Sequence, residues 1–410
     1  MQTQLSPEFK DTPEGREAEA ILRKCVHCGF CTATCPTYQL FGDELDGPRG
    51  RIYLIKQVLE GQAPTEKTQL HLDRCLTCRN CETTCPSGVQ YGHLIDIGRQ
   101  IVEERVPRSA PQRALRWALK EGLSSPLFAP AMKLGQVVRA VLPAALKSKV
   151  PEPQTAGSWP LRQHARKMLM LAGCVQPAMA PNINSATARV LDAAGIQAVI
   201  APAAGCCGGV KFHLNDQSGA RDQMRANIDA WWPYVQDGQV EAIVMNASGC
   251  GVTVKEYGHA LAHDPAYADK ARRISELTQD LSELLPALVP ALRARVKPPA
   301  GTLAYHPPCT LQHGQQLRGG VERHLGELGF EVRVAPMESH LCCGSAGTYS
   351  VLQPEISQQL RDRKLGHLGQ VQPTAIVSAN IGCITHLQSG TATPVRHWVE
   401  VLDAALVRAA

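Results

Sequence analysis

Two runs of cysteines constrain this chain more than any other feature. CVHCGFCTATCP (25–36) and CLTCRNCETTCP (75–86) both fit C-x2-C-x2-C-x3-C-P. Three thiolates two residues apart wrap one face of a cubane [4Fe–4S] cluster, and the following turn and helix carry the fourth to a neighbouring cube. Reach therefore assigns Cys25, Cys28, Cys31 and Cys85 to one cluster and Cys75, Cys78, Cys81 and Cys35 to the other. Zinc sites show paired C-x2-C rather than this triple spacing, and two tandem matches weigh against zinc. Gly29 lets backbone N–H groups approach the sulfides, and Pro36 and Pro86 end the binding loops. His27, Arg79 and Asn80 fall inside the loops and are read as solvated side chains, with hydrogen bonding to sulfur as the alternative.

Between the runs lies FGDELDGPRGRIYLIKQVLEG (41–61), in which Ile52, Ile55, Val58 and Leu59 share one helical face and Gly61 ends the helix. Pro48-Arg49-Gly50-Arg51 is read as a helix start rather than a partner contact. The expectation for residues 1–104 is a mostly α-helical, two-cluster ferredoxin-type domain.

The other eight of the sixteen cysteines are Cys174, Cys206, Cys207, Cys250, Cys309, Cys342, Cys343 and Cys383, and they form an internal repeat. Equivalent cysteines are offset by 135, 136, 136 and 133 residues; Gly208 and Gly344 follow the pairs, and NASGC and ANIGC close the modules. Apolar runs lead to each outer cysteine: MLMLAGC, TLAYHPPC, EAIVMNASGC and TAIVSANIGC. Alternating with helical stretches such as SATARVLDAAG, they read as buried parallel strands of a duplicated α/β module. The thiols then cluster at the carboxyl ends of the strands, where open α/β sheets place ligands. The expected modules are 168–300 and 301–410. A lone Cys-Cys pair would be read as core, but its recurrence at fixed distance from two further cysteines favours metal or redox chemistry. His306, His313 and His340 flank the second set and are read as structural.

Residues 105–167 form a basic, Pro-rich helical spacer. It carries Arg105, Arg108, Arg113, Arg116, Lys120, Lys133, Arg139, Lys147, Lys149, Arg162, Arg166 and Lys167 against only Glu121 and Glu152. RALRWALKEGL and AMKLGQVVRAVL within it read as short basic amphipathic helices. The first twenty residues carry charges throughout, so no secretory signal is expected, and no apolar window is long enough to span a membrane. Sixteen cysteines in such a chain argue for metal ligation or redox chemistry rather than disulfides. No G-x-G-x-x-G follows a strand, so a nicotinamide or flavin fingerprint is absent.

The paired cysteines identify the C-terminal half as similar to the CCG (cysteine-rich) family found in heterodisulfide reductases and in subunits of flavin-linked dehydrogenases. Two ferredoxin motifs followed by two CCG modules resemble the iron–sulfur subunits of bacterial glycolate oxidase (glycolate dehydrogenase), with LAGCVQP, GCCGG, AYHPPCTLQHGQ and LCCGSAGTYS carrying the likeness. One departure matters. The full pattern ends each module in C-x-x-C, and Ala247 and Asn380 stand where its first cysteine would be. A further iron–sulfur cluster, another metal or a thiol pair all stay open for the modules.

The resemblance implies a relay. Partner FAD-binding glycolate dehydrogenase subunits oxidise glycolate to glyoxylate, and this chain passes the electrons through two [4Fe–4S] clusters to a membrane quinone or other carrier. It implies no catalytic residue here, no nucleic-acid partner, and peripheral attachment to the cytoplasmic face of the inner membrane, with the basic spacer as docking surface. The alternatives are the electron-transfer subunit of anaerobic glycerol-3-phosphate dehydrogenase and a heterodisulfide-reductase-like thiol/disulfide enzyme.

Overall fold

A computed structural model describes residues 1–143 and 150–407; Lys147 and Lys149 of the spacer lie outside the described residues. The N-terminal region is helical. Helices Pro13–Lys24, Pro48–Leu59 and Tyr91–Arg105 pack together through Ile21, Leu22, Ile52, Ile55, Leu59, Leu94 and Ile95. Pro48 occupies the first turn of its helix, where its missing N–H costs nothing. Gly61, at φ +100°, turns the chain just past its end.

The spacer forms helices Ala110–Ser124 and Phe128–Val137, neither of which buries a residue. Much of its charge is spent internally. Arg108 pairs with Asp73 and Glu103, Arg116 with Asp73, Lys120 with Asp216, and Arg105 with Glu8. What stays exposed is mixed: Arg113 and Lys133 beside Trp117, Leu127, Leu134, Val137 and Val141.

Two four-stranded parallel sheets follow. The first comprises β1 (Arg166–Met170), β2 (Ile196–Val199), β3 (Ile243–Met245) and β4 (Thr278–Asp280), in the order β2-β1-β3-β4. The second comprises β5 (Thr302–His306), β6 (Glu331–Val334), β7 (Ala375–Ser378) and β8 (Val395–His397), in the matching order β6-β5-β7-β8. The sequence duplication is thus a duplication of topology. SATARVLDAAG lies largely within helix Asn182–Ala193.

The modules share one core, in which Leu285 and Leu288 of helix Leu281–Leu292 meet Leu325, Trp398 and Leu402 of the second module. Arg189 and Asp403 pair across the joint at 2.7 Å, both largely buried. Among the described residues no helix is long and apolar enough to cross a membrane.

Candidate metal centres

The two N-terminal cysteine loops adopt the same unusual backbone. His27 (φ +57°) and Gly29 (φ +86°) separate the first three cysteines; Thr77 (φ +54°) and Arg79 (φ +57°) do so in the second loop. Only one of the four is glycine, so three side chains sit in the left-handed region at a cost that a function must justify. Alternating backbone handedness turns successive N–H groups into a concavity that favours anions. The Thr77 N–H donates to Cys75 Sγ at 3.4 Å.

Cys25, Cys28, Cys31 and Cys85 line one pocket, together with Cys81. Cys35, Cys75, Cys78 and Cys81 line a second. The pockets thus share the Cys81 wall, and Tyr91 lines both. The first opens to the surface, where Cys28 is exposed beside Val26 and Phe30. The second is lined mostly by buried residues, among them Cys35, Cys75 and Cys81.

Its surroundings include cationic groups that sequence reading missed. Arg51, 1% exposed, donates to the His71 carbonyl at 2.7 Å and to Thr37 Oγ1 at 3.1 Å, and that hydroxyl lies 3.3 Å from Cys35 Sγ. Arg99, also buried, donates to the Leu72 carbonyl and, at 2.5 Å, to the Cys75 carbonyl. A buried guanidinium is expensive unless negative charge accompanies it. Asp46 is such a partner, pairing with Arg51 and Arg74. Four thiolates on an iron–sulfur cluster would be another. The donor set, the anion-seeking backbone and the buried arginines all fit clusters bound at these pockets.

Arg79 and Asn80 are not solvated, against the sequence reading. Arg79 pairs with Glu256 of the first module (Nη2 to Oε2, 2.9 Å), and Asn80, 3% exposed, donates to the carbonyls of Thr34 and His340. A folded second half covers the loop, which one stretch of sequence cannot reveal.

In the first module the thiols form a chain of contacts, Cys174–Cys206–Cys207–Cys250. Cys174 follows β1, and Cys250 rides on helix Ser248–Lys255 rather than on a strand. Donation from Cys174 and Cys207, helped by the N–H groups of Gly208 and Val210, lowers Cys206, against the effect of burial.

The second module repeats the chain: Cys309–Cys342 at 3.8 Å, then Cys343, then Cys383 on helix Ile381–Gln388. Here all four are buried. Asn380, at the position where the full family pattern has cysteine, directs Nδ2 towards Cys383 Sγ at 3.7 Å. Lys364, 2% exposed, donates to the Glu338 carbonyl. Burial pushes it down to about 8, opposed by the thiols of Cys343 and Cys342.

His313 is structural: its Nε2 meets the His340 carbonyl at 2.8 Å and its Nδ1 meets Thr83 Oγ1 at 3.1 Å. His306 is different. It is 1% exposed, neither ring nitrogen has a hydrogen-bond partner, and a nitrogen lies within 4.8 Å of Cys343 Sγ and Cys383 Sγ. Cys309 and Cys342 pack with Leu76 and Cys78 of the second N-terminal loop. The second module's thiols therefore adjoin the second of these pockets.

Residues 21–89 match the 4Fe-4S dicluster domain family, and residues 168–255 and 303–388 each match the cysteine-rich domain family. Over 99% of both chains, the sequence is 56% identical to the glycolate oxidase iron–sulfur subunit of Escherichia coli K12. It is 29% identical, over 94% of this chain and 92% of the relative, to the probable glycolate oxidase iron–sulfur subunit of Bacillus subtilis. Lactate utilization protein A of Geobacillus thermodenitrificans is 26% identical over 58% of this chain and 98% of its own length.

Proposed function

The chain belongs to the family of glycolate oxidase iron–sulfur subunits, and we propose that it is the electron-carrying subunit of a complex that oxidises glycolate to glyoxylate. FAD held in partner subunits would supply the hydride chemistry. Cys25, Cys28, Cys31 and Cys85 hold one [4Fe–4S] cluster, and Cys75, Cys78, Cys81 and Cys35 hold another. When bound, such clusters supply one-electron carriage. The chain's own residues set where electrons enter and leave.

The observation that carries this reading is an unbroken run of thiol sites from the surface inwards. It starts at exposed Cys28 beside Val26 and Phe30, crosses the shared Cys81, and reaches Cys78 against Cys309 and Cys342. The exposed rim is the docking face for the flavoprotein, because an apolar patch at a redox site suits a protein partner. Cys174, Cys206, Cys207 and Cys250, and Cys309, Cys342, Cys343 and Cys383, are the candidate ligands of further centres. Glycerol 3-phosphate as the substrate is disfavoured by the names of the similar proteins, and disulfide reduction by the absent fifth cysteine of each module.

The test is Cys28→Ser in the assembled complex. Glycolate should still reduce the flavin, while reduction of the physiological acceptor falls at least about 100-fold and one cubane signal disappears. Full activity in that variant would overturn the relay.

The acceptor is a membrane quinone or another carrier, reached through peripheral attachment at the cytoplasmic face of the inner membrane. Support comes from helices Ala110–Ser124 and Phe128–Val137, which present Trp117, Leu127, Leu134 and Val137 beside Arg113 and Lys133. Aromatic and aliphatic side chains interleaved with basic ones suit an anionic bilayer surface. Trp117→Ser with Leu134→Ser should release the complex from anionic vesicles. Unchanged recovery would retire this attachment.

A further inference from the structure

His306 closes β5, and its backbone is fixed: it pairs with Ser378 of β7, whose hydroxyl donates to the His306 carbonyl at 2.9 Å. The side chain itself is 1% exposed and does not reach water. A buried imidazole with both nitrogens unsatisfied carries the desolvation penalty of each uncompensated, so the arrangement calls for a partner. The neighbouring polar groups are engaged elsewhere: Lys364 on the Glu338 carbonyl, His386 on Ser357. What lies within reach is sulfur, with Cys343 and Cys383 both inside 4.8 Å.

The first module has no counterpart. At the offset between Cys174 and Cys309, His306 corresponds to Leu171; at that between Cys207 and Cys343, Lys364 corresponds to Ile228. Both counterparts are buried apolar residues. The second module thus combines an orphaned imidazole with a buried ammonium beside four thiols. Asn380 leaves it one cysteine short of the five-cysteine pattern.

We propose that His306 is a ligand of a metal centre in the second module, with Cys343 and Cys383 as neighbouring ligands and Cys309 and Cys342 completing the donor set. The proposal rests on reading the module's thiols as a metal site. Imidazole together with thiolate suits iron in an iron–sulfur unit or zinc. The first module holds whatever it binds by thiols alone. With iron, replacing thiolate by neutral imidazole raises the potential, as histidine ligation does in other clusters. A centre beside Cys78 would then draw electrons away from the cluster held by Cys75, Cys78, Cys81 and Cys35.

The full chain, purified without oxygen, is assayed for iron, sulfide and zinc, and His306→Ala and His306→Cys are compared with it. Iron with sulfide beyond the two cubanes identifies a cluster; stoichiometric zinc identifies the other source. Pulsed EPR on the reduced or oxidised iron centre, or X-ray absorption at the zinc edge, should show a directly bound nitrogen. His306→Ala should lose that nitrogen and at least half of the extra metal while keeping both cubane signals. His306→Cys should retain the metal, lose the nitrogen and, for iron, show a lower potential. No metal beyond the cubanes, or a nitrogen signal unchanged in both variants, would overturn the proposal. Missing cubane signals in the unaltered chain would instead overturn the relay reading.

Discussion

The two cysteine-rich modules share strand order and the same chain of thiol contacts, but they seat those thiols in different surroundings. In the first, Cys174 and Cys250 are half-buried, and neighbouring S–H and N–H donors pull Cys206 down. In the second, all four are buried, the contact of each thiol with the next in the chain and burial together push Cys309, Cys342 and Cys343 up, against the lowering contact from the preceding thiol at Cys342 and Cys343, and His306 and Lys364 stand beside them. The modules also meet the N-terminal region differently. The first docks through charge, in Arg79, His93, Glu17, Glu256 and His259. The second docks through Leu76, Cys78, Cys309, Cys342 and Tyr349, with neutral hydrogen bonds around them. A repeated scaffold therefore fixes where thiols gather, while the residues around them decide what each gathering can do.

The sharpest way to break that comparison is to remove equivalent thiols. If only the second module adjoins the relay, Cys343→Ser should cut acceptor reduction at least about 100-fold, and Cys207→Ser less than about 10-fold. Steady-state rates of the assembled complex with glycolate decide it. Equal losses would mean that both modules carry electrons.

The sequence made some of this legible and hid the rest, for physical reasons. Cysteine spacing is local, so which thiols approach one another follows from C-x2-C-x2-C-x3-C-P and from the repeat offsets. Parallel strands followed from apolar runs ending at cysteines, although Cys250 and Cys383 ride on helices just beyond them. Contacts made across 177 and 260 residues, such as Arg79 with Glu256 and Asn80 with His340, carry no local signal. Arg51 read as part of a helix start, because nothing in Pro-Arg-Gly-Arg says that its guanidinium faces inwards. His306 did leave a trace: the repeat aligns it with Leu171, and a polar residue at an apolar position of a duplicated strand is a usable flag. The basic spacer misled in the other direction, since its charge count ignored the internal acids Asp73, Glu103 and Asp216 that neutralise part of it.

The glycines after the cysteine pairs offer a finer comparison. Gly208 and Gly344 have φ of +92° and +89°, so any side chain there is strained by about 1–2 kcal/mol. A Cβ on Gly208 would meet the Ala220 carbonyl oxygen at 3.0 Å, whereas one on Gly344 would meet the Ser357 oxygen at 2.4 Å and Leu360 at 3.0 Å. Backbone cannot yield as a flexible side chain can. Gly208→Ala should therefore cost about 2 kcal/mol and Gly344→Ala about 4 kcal/mol, measured by denaturant unfolding of the full chain. Equal costs would show that the two turns are equally tight.

The smallest effect concerns pH and only the first module. Burial opposes protonation of His93, but hydrogen bonds to Glu17 and Glu256 outweigh it and raise the imidazole to about 9. A raised histidine stabilises the folded state fully below its unfolded value near 6.5, and that contribution is lost as pH climbs through 9. Glu17 runs the opposite way. Burial is outweighed by His259 and His93, which lower the carboxyl to about 2, so its contribution is present above 4.5 and fades on acidification towards 2. The charged joint is thus strongest between about 4.5 and 6.5 and weakens by on the order of 2 kcal/mol towards pH 9. Hydrogen exchange corrected for intrinsic rates should show helices Pro13–Lys24 and Tyr257–Ala260 opening faster between pH 6.5 and 9, with Tyr349–Leu352 unchanged. His93→Gln should flatten that dependence. If Tyr349–Leu352 opened in step with the others, both modules would be leaving the N-terminal region as one body, and the difference between a charged joint and a neutral one would have no consequence for how the chain holds together.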